Sequence, residues 1–85
     1  MDIGVEISLY PLKSDFIPAV HEFLDRLNAD RRLRVVTNSM STQVFGGLEE
    51  VMDALRAAVG ASFAGLAAGE RSVFVLKVFG PLAPA

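Results

Sequence analysis

From Met1 to Leu12 apolar and polar residues alternate, with Ile3, Val5, Ile7 and Leu9 on one side of an extended chain and Gly4, Glu6, Ser8 and Tyr10 on the other. A period of two predicts a strand with one apolar face. Pro11 cannot donate to a ladder and is expected to stop it. Ser14 or Asp15 then offers a helix N-cap, and Pro18 is tolerated because it falls in the first turn. Ile17, Val20, Leu24 and Leu27 recur at helical spacing with Phe16 and Phe23 on the flank, which predicts a helix from Asp15 to Ala29. Leu33–Asn38 and Ser41–Phe45 are alternating and predict two strands joined by an Asn38-Ser39-Met40 turn. Gly46-Gly47 is expected to break the second of them. Leu48, Val51, Met52, Leu55, Val59 and Phe63 return to helical spacing, with Glu49 and Glu50 complementing the first-turn dipole. This helix should end between Gly65 and Gly69. Ser72–Phe79 predicts the last strand, closed by Gly80-Pro81, and Leu82–Ala85 reads as a frayed tail.

The order β-α-β-β-α-β predicts one α+β domain over residues 1–85. It is the ferredoxin-like split βαβ arrangement, a four-stranded antiparallel sheet with two helices on one face. In it the first and third strands are central and the second and fourth are edges. If Ile3, Val5, Ile7 and Leu9 face the helices, then Glu6, Ser8 and Tyr10 face away. Val44 on the third strand and Phe74, Leu76 and Val78 on the fourth suit the helices. Ser41, Gln43, Phe45, Val73, Val75, Lys77 and Phe79 are left on the open face, too apolar a set to be left to water.

Composition sharpens this picture. At 85 residues, with 52% hydrophobic residues and a mean hydropathy of +0.42, the core is small and the apolar surface large. There is no cysteine and one histidine, so disulfides and thiolate metal sites are excluded and no metal or other cofactor is expected. Self-association is the remaining source of extra stability, and the apolar open face predicts a homotetramer built from dimers. A net charge of −2 and a pI near 5.2 argue against nucleic acid as a partner. The longest uncharged apolar stretch, Ala57–Gly69, is too short and too weakly apolar to insert in a membrane. Asp2 and Glu6 stand where a signal peptide would be basic, so a cytoplasmic location is expected.

Several residues carry chemistry. The polar run Thr37–Gln43 supplies hydrogen-bond donors and acceptors suited to a small heterocycle, or else satisfies its own turn. Glu6 stands in an otherwise apolar central strand, and it either answers a ligand cation or amine or pairs across to Lys77. Tyr10 offers a ring to stack on, or an interface residue with a wet hydroxyl. Met40 is a gap-filler or a ring contact. His21 sits at the edge of a helical apolar stripe without a nucleophile at workable spacing and reads as structural. Gly46-Gly47 before a helix suits an anion, but Glu49 and Glu50 would repel one.

Three stretches together resemble a known family. Ser8-Leu9-Tyr10-Pro11-Leu12, the run Asn38-Ser39-Met40-Ser41-Thr42-Gln43-Val44-Phe45-Gly46, and Glu50-Val51-Met52-Asp53-Ala54-Leu55 are similar to the small thiamine-binding, YkoF-like proteins, as is the closing Val73–Val78. The resemblance runs from Ile3 to about Phe79. It implies a ferredoxin-like domain that binds thiamine or hydroxymethylpyrimidine without catalysis, in assemblies of paired domains. An aminopyrimidine needs a donor, an acceptor and an apolar wall together. On that reading the ligand-binding candidates are Glu6, Ser8, Tyr10, Asn38, Met40, Ser41, Thr42 and Gln43. Two alternatives share the fold. One is a cofactor-independent enzyme of the dimeric α+β barrel type, which needs a reactive His, Asn or Trp in its cavity. The other is an ACT-like regulatory module.

Overall fold

The computed structural model describes residues 1–12, 17–38 and 41–83. The expected capping residues Ser14 and Asp15, and Ser39 and Met40 of the expected turn, lie outside them. The elements are β1 (Asp2–Leu12), α1 (Ile17–Ala29), β2 (Arg34–Thr37), β3 (Thr42–Gly47), α2 (Leu48–Ala64) and β4 (Arg71–Phe79). The sheet order is β2-β3-β1-β4, antiparallel throughout. This is the ferredoxin-like α+β fold, with β1 and β3 central.

The alternation in β1 decides which face is the core. Ile3, Val5 and Ile7 are buried with Val44 of β3, Phe23 and Leu27 of α1, and Val51, Leu55 and Ala58 of α2. Burying such side chains is the main favourable term in a chain of this size. Phe23 and Phe63 both pack on Phe74, with ring centroids 5.0 and 5.6 Å away, so β4 is tied to both helices at that point. The register also puts Leu76 and Val78 of β4 on the helix side, opposite Ile7 and Val5. They nevertheless stay 44% and 55% exposed, because two helices laid over the central strands do not reach the outer edge.

Two expected chain breaks are strand instead. β1 runs on through Pro11, paired with Ser72. From Ser8 onward β1 has β4 as its one strand neighbour among the described residues, and a proline that lacks a ladder donor is tolerated where one side is unpaired. Gly46 and Gly47 likewise belong to β3, opposite Ile3 and Asp2. Leu48 then starts α2 with no intervening loop, its N–H donating to the Met1 carbonyl at 2.9 Å. A side chain at Gly47 would run into the Glu50 carboxylate, which folds back over the start of the helix. Gly4 is also required by close approach: on the open face the Phe79 ring lies over its Cα where a Cβ would stand, with Phe45 beside it. A ring laid on a strand glycine restores the packing that the missing side chain gives up.

Candidate functional site

The site begins where the sheet splits. β1 pairs with β3 from Asp2↔Gly47 to Ile7↔Thr42, and there the pairing ends. Beyond it, among the described residues, β1 pairs with β4 alone, out to Leu12↔Arg71. The β2–β3 hairpin meanwhile closes on itself. Asn38 N–H donates to the Ser41 carbonyl at 3.0 Å, Ser41 N–H donates to Asn38 Oδ1 at 3.0 Å, and the Thr37 and Thr42 hydroxyls lie 3.2 Å apart. The two departing segments leave a notch between them.

The notch opens on both faces of the sheet. On the helix side it is a cleft of about 200 Å³ with Val20, Phe23 and Leu24 of α1 as its apolar wall and Ser8, Asn38 and Ser41 as polar lining. On the open side it is a cleft of about 280 Å³ lined by Glu6, Ser8, Tyr10, Ser41, Val75 and Lys77. Ser8, Tyr10 and Ser41 line both. Hydroxyl groups there both donate and accept, and a rigid apolar wall stands beside them. Such a site suits a planar, polar heterocycle.

Seven of the eight candidate residues fall among the described residues. Ser8, Tyr10, Asn38 and Ser41 line the helix-side cleft, and Glu6 lines the open one. Thr42 is buried on the helix face, joined to Thr37, so it does not share a face with its neighbour Gln43. Gln43 sits opposite Glu6 in the ladder and lines neither cleft. Met40 lies outside the described residues. The cross-strand pair foreseen for Glu6 is formed: Lys77 Nζ stands 3.8 Å from Glu6 Oε1, with the lysine side chain 76% exposed. At that length and exposure the pair is weak, about 0–1 kcal/mol. His21 is exposed on α1 and lines neither cleft. No group of three or more His, Cys, Asp or Glu suited to a metal occurs among the described residues.

The helix-side wall was not among the sequence candidates, and Thr37 entered only as the first residue of the polar run. A signal for them was present: a first strand of eleven residues must overhang hairpin strands of four and six. What the overhang faces is a cleft.

The fold and the notch define a small ferredoxin-like domain with a ligand-sized gap between a central strand and the neighbouring hairpin. The chain belongs to the YKOF-related family, whose model matches residues 2–67. No curated protein matches it. Solved structures of the same fold include a hypothetical protein of Methanocaldococcus jannaschii (TM-score 0.80, 23% identity, 99% of this chain and 84% of that one). A Streptococcus pneumoniae protein is also similar (TM-score 0.84, 15% identity, 96% and 89%). A third is a Thermotoga maritima protein provisionally assigned to thiamine biosynthesis or salvage (TM-score 0.80, 17% identity, 95% and 85%). No helix among the described residues is long and apolar enough to cross a membrane.

Proposed function

We propose that this chain binds thiamine or its hydroxymethylpyrimidine half without transforming it, as part of vitamin salvage or homeostasis. The observation that carries the reading is the notch, where Ser8, Tyr10 and Ser41 line two clefts at once beside Glu6. An aminopyrimidine ring has a flat face for Tyr10 or the α1 wall, ring acceptors for the serine hydroxyls, and an exocyclic amine for a carboxylate. The loose Glu6–Lys77 pair gives up little when Glu6 turns to an amine or to the thiazolium charge. Family membership and the provisional assignment of the Thermotoga neighbour point the same way.

The working form is a homotetramer built from dimers. Tyr10, Val73, Val75 and Phe79 on the open face are 42–55% exposed, more apolar surface than a small monomer ordinarily leaves bare. A second copy laid on this face also closes the open-side cleft over its ligand.

Isothermal calorimetry with thiamine, hydroxymethylpyrimidine and a pyrimidine lacking the exocyclic amine tests the reading. Micromolar or tighter binding is expected for the first two. Ser41→Ala should weaken it by about 1–3 kcal/mol, the cost of leaving a buried polar group unpaired. Millimolar thiamine and hydroxymethylpyrimidine that leave both the heat signal and the melting temperature unchanged would sink it.

A further inference from the structure

A third cleft, of about 500 Å³, opens at the other end of the sheet, between the turn that leads into β2 and the C-terminal segment. From Thr42 at the notch to Gly46 in this cleft is roughly 13 Å of extended strand. Arg31, Arg32 and Arg34 stand on one side, Asp2 and Leu82 on the other, and Phe45 forms part of the wall.

The cleft is held in shape before any ligand arrives. The Asp30 carboxylate accepts from Arg32 N and Nε, both at 3.0 Å, and from Nη2 at 2.7 Å. These bonds hold its carboxyl down to about 2 and fix both the turn and the Arg32 side chain. Arg34 lies over the Phe45 ring, 4.4 Å from its centroid, and Phe79 meets that ring edge-on at 6.2 Å. Across the cleft, Leu82 N–H donates to the Asp2 carbonyl at 2.8 Å and anchors the opposite wall. Arg31 and Arg34 make no ion pair with a carboxylate among the described residues.

We propose that this cleft is a second binding site, for a small phosphate monoester whose phosphoryl group is gripped by Arg31 and Arg34. Two guanidinium forks reaching in from separate positions suit a group with three equivalent oxygens. A carboxylate, with two, is satisfied by one fork. Stacking on Phe45 holds the Arg34 fork in place, so less side-chain freedom is lost on binding. Arg32 is taken up by Asp30 and also feels Glu50 and Asp53, and Asp2 lines the opposite wall, so the positive charge left for a ligand is that of Arg31 and Arg34, which favours a single phosphoryl group over a polyphosphate or a nucleic acid. The site is independent of the notch and of the vitamin reading.

The test titrates the full chain with inorganic phosphate and with glycerol phosphate at fixed ionic strength, following amide NMR shifts and calorimetry, with chloride and acetate as controls. Saturable shifts confined to residues 31–34, 45–46 and 82–83 are expected, with at least tenfold weaker binding in Arg31→Gln/Arg34→Met and no change in Ser41→Ala. Arg31→Gln alone, at an exposed side chain, keeps the test decisive if the double variant folds poorly, and should weaken binding severalfold. Shifts that do not saturate, that chloride or acetate reproduces, or that survive the arginine substitutions would overturn the proposal. Phosphate binding by an unmodified chain that fails to bind thiamine or hydroxymethylpyrimidine would overturn the notch reading alone.

Discussion

The two halves of β1 carry the same alternating pattern but are held very differently. From Gly4 to Ile7 the strand lies between β3 and β4, and its inward residues Val5 and Ile7 are 0% and 2% exposed. From Ser8 to Leu12 it keeps β4 and loses β3; inward Leu9 is half-buried while outward Tyr10 is 55% exposed. The first half is core and the second is the rim of the notch. One sequence pattern thus serves two purposes, and whether β3 lies alongside decides which.

The sharpest way to break this contrast is to truncate one residue from each half. Ile7→Ala should cost about 2–5 kcal/mol of folding stability, the usual range for emptying a buried aliphatic site. Tyr10→Ala should cost under about 0.5 kcal/mol, as for other exposed positions, while weakening thiamine binding. Urea denaturation with parallel calorimetry separates the two; a large loss of stability at Tyr10 would erase the distinction.

Gly4 probes how the first half meets the open face. Gly4→Ala should destabilise by about 1–2 kcal/mol, because the new methyl displaces the Phe79 ring. In a Phe79→Ala background most of that cost should vanish, and a double-mutant cycle reads the coupling directly. Additive effects would mean that the ring is not what excludes the side chain.

Smaller again is the Glu6–Lys77 pair. Its length and exposure predict less than about 1 kcal/mol for Lys77→Met, with Glu6→Gln showing its larger effect on thiamine affinity instead.

The smallest effect concerns Asp30. Its carboxyl is held down to about 2, chiefly by hydrogen bonds from Arg32. A depressed folded-state pKa contributes stability above the unfolded value near 3.8, and that contribution is lost as pH falls through about 2. Both partners are solvent-accessible, so the readout is a carboxyl NMR titration rather than a melting curve. The Asp30 midpoint should lie near 2 and move up toward 3.8 in Arg32→Gln.

Element order and strand facing were legible in the sequence because each follows from a period of two or 3.6 set by nearby residues, whereas the Glu6–Lys77 pair was one of two readings open to Glu6. The exceptions are positions where a neighbour overrode a local preference. Pro11 reads as a stop but sits where β1 needs no second partner, and Gly46-Gly47 read as a break but lie against β1. The alternation of β3 already put Ser41 and Gln43 on the open face, and the pleat sends Thr42 to the helix side, so the three grouped as ligand candidates do not share one face. The notch itself was not legible, because it depends on where two strands part rather than on what either contains. Arg31, Arg32 and Arg34 carry no signal of a shared cleft in the sequence, because Phe45 and the C-terminal segment that complete it come from distant stretches of the chain.

The parting of β1 from the hairpin also bears on how such a site can drift. Along Ser8–Leu12 the strand's second edge faces the notch with no strand paired to it among the described residues. Part of what the proposed ligand would meet there is therefore main chain, whose peptide groups are the same whatever residue carries them. Mutation can rewrite side chains around the notch while this portion of the recognition surface persists. The similar solved structures keep the fold at 15–23% identity, so their shared character should be sought in the point of divergence and the length of the overhang before it is sought in matching letters.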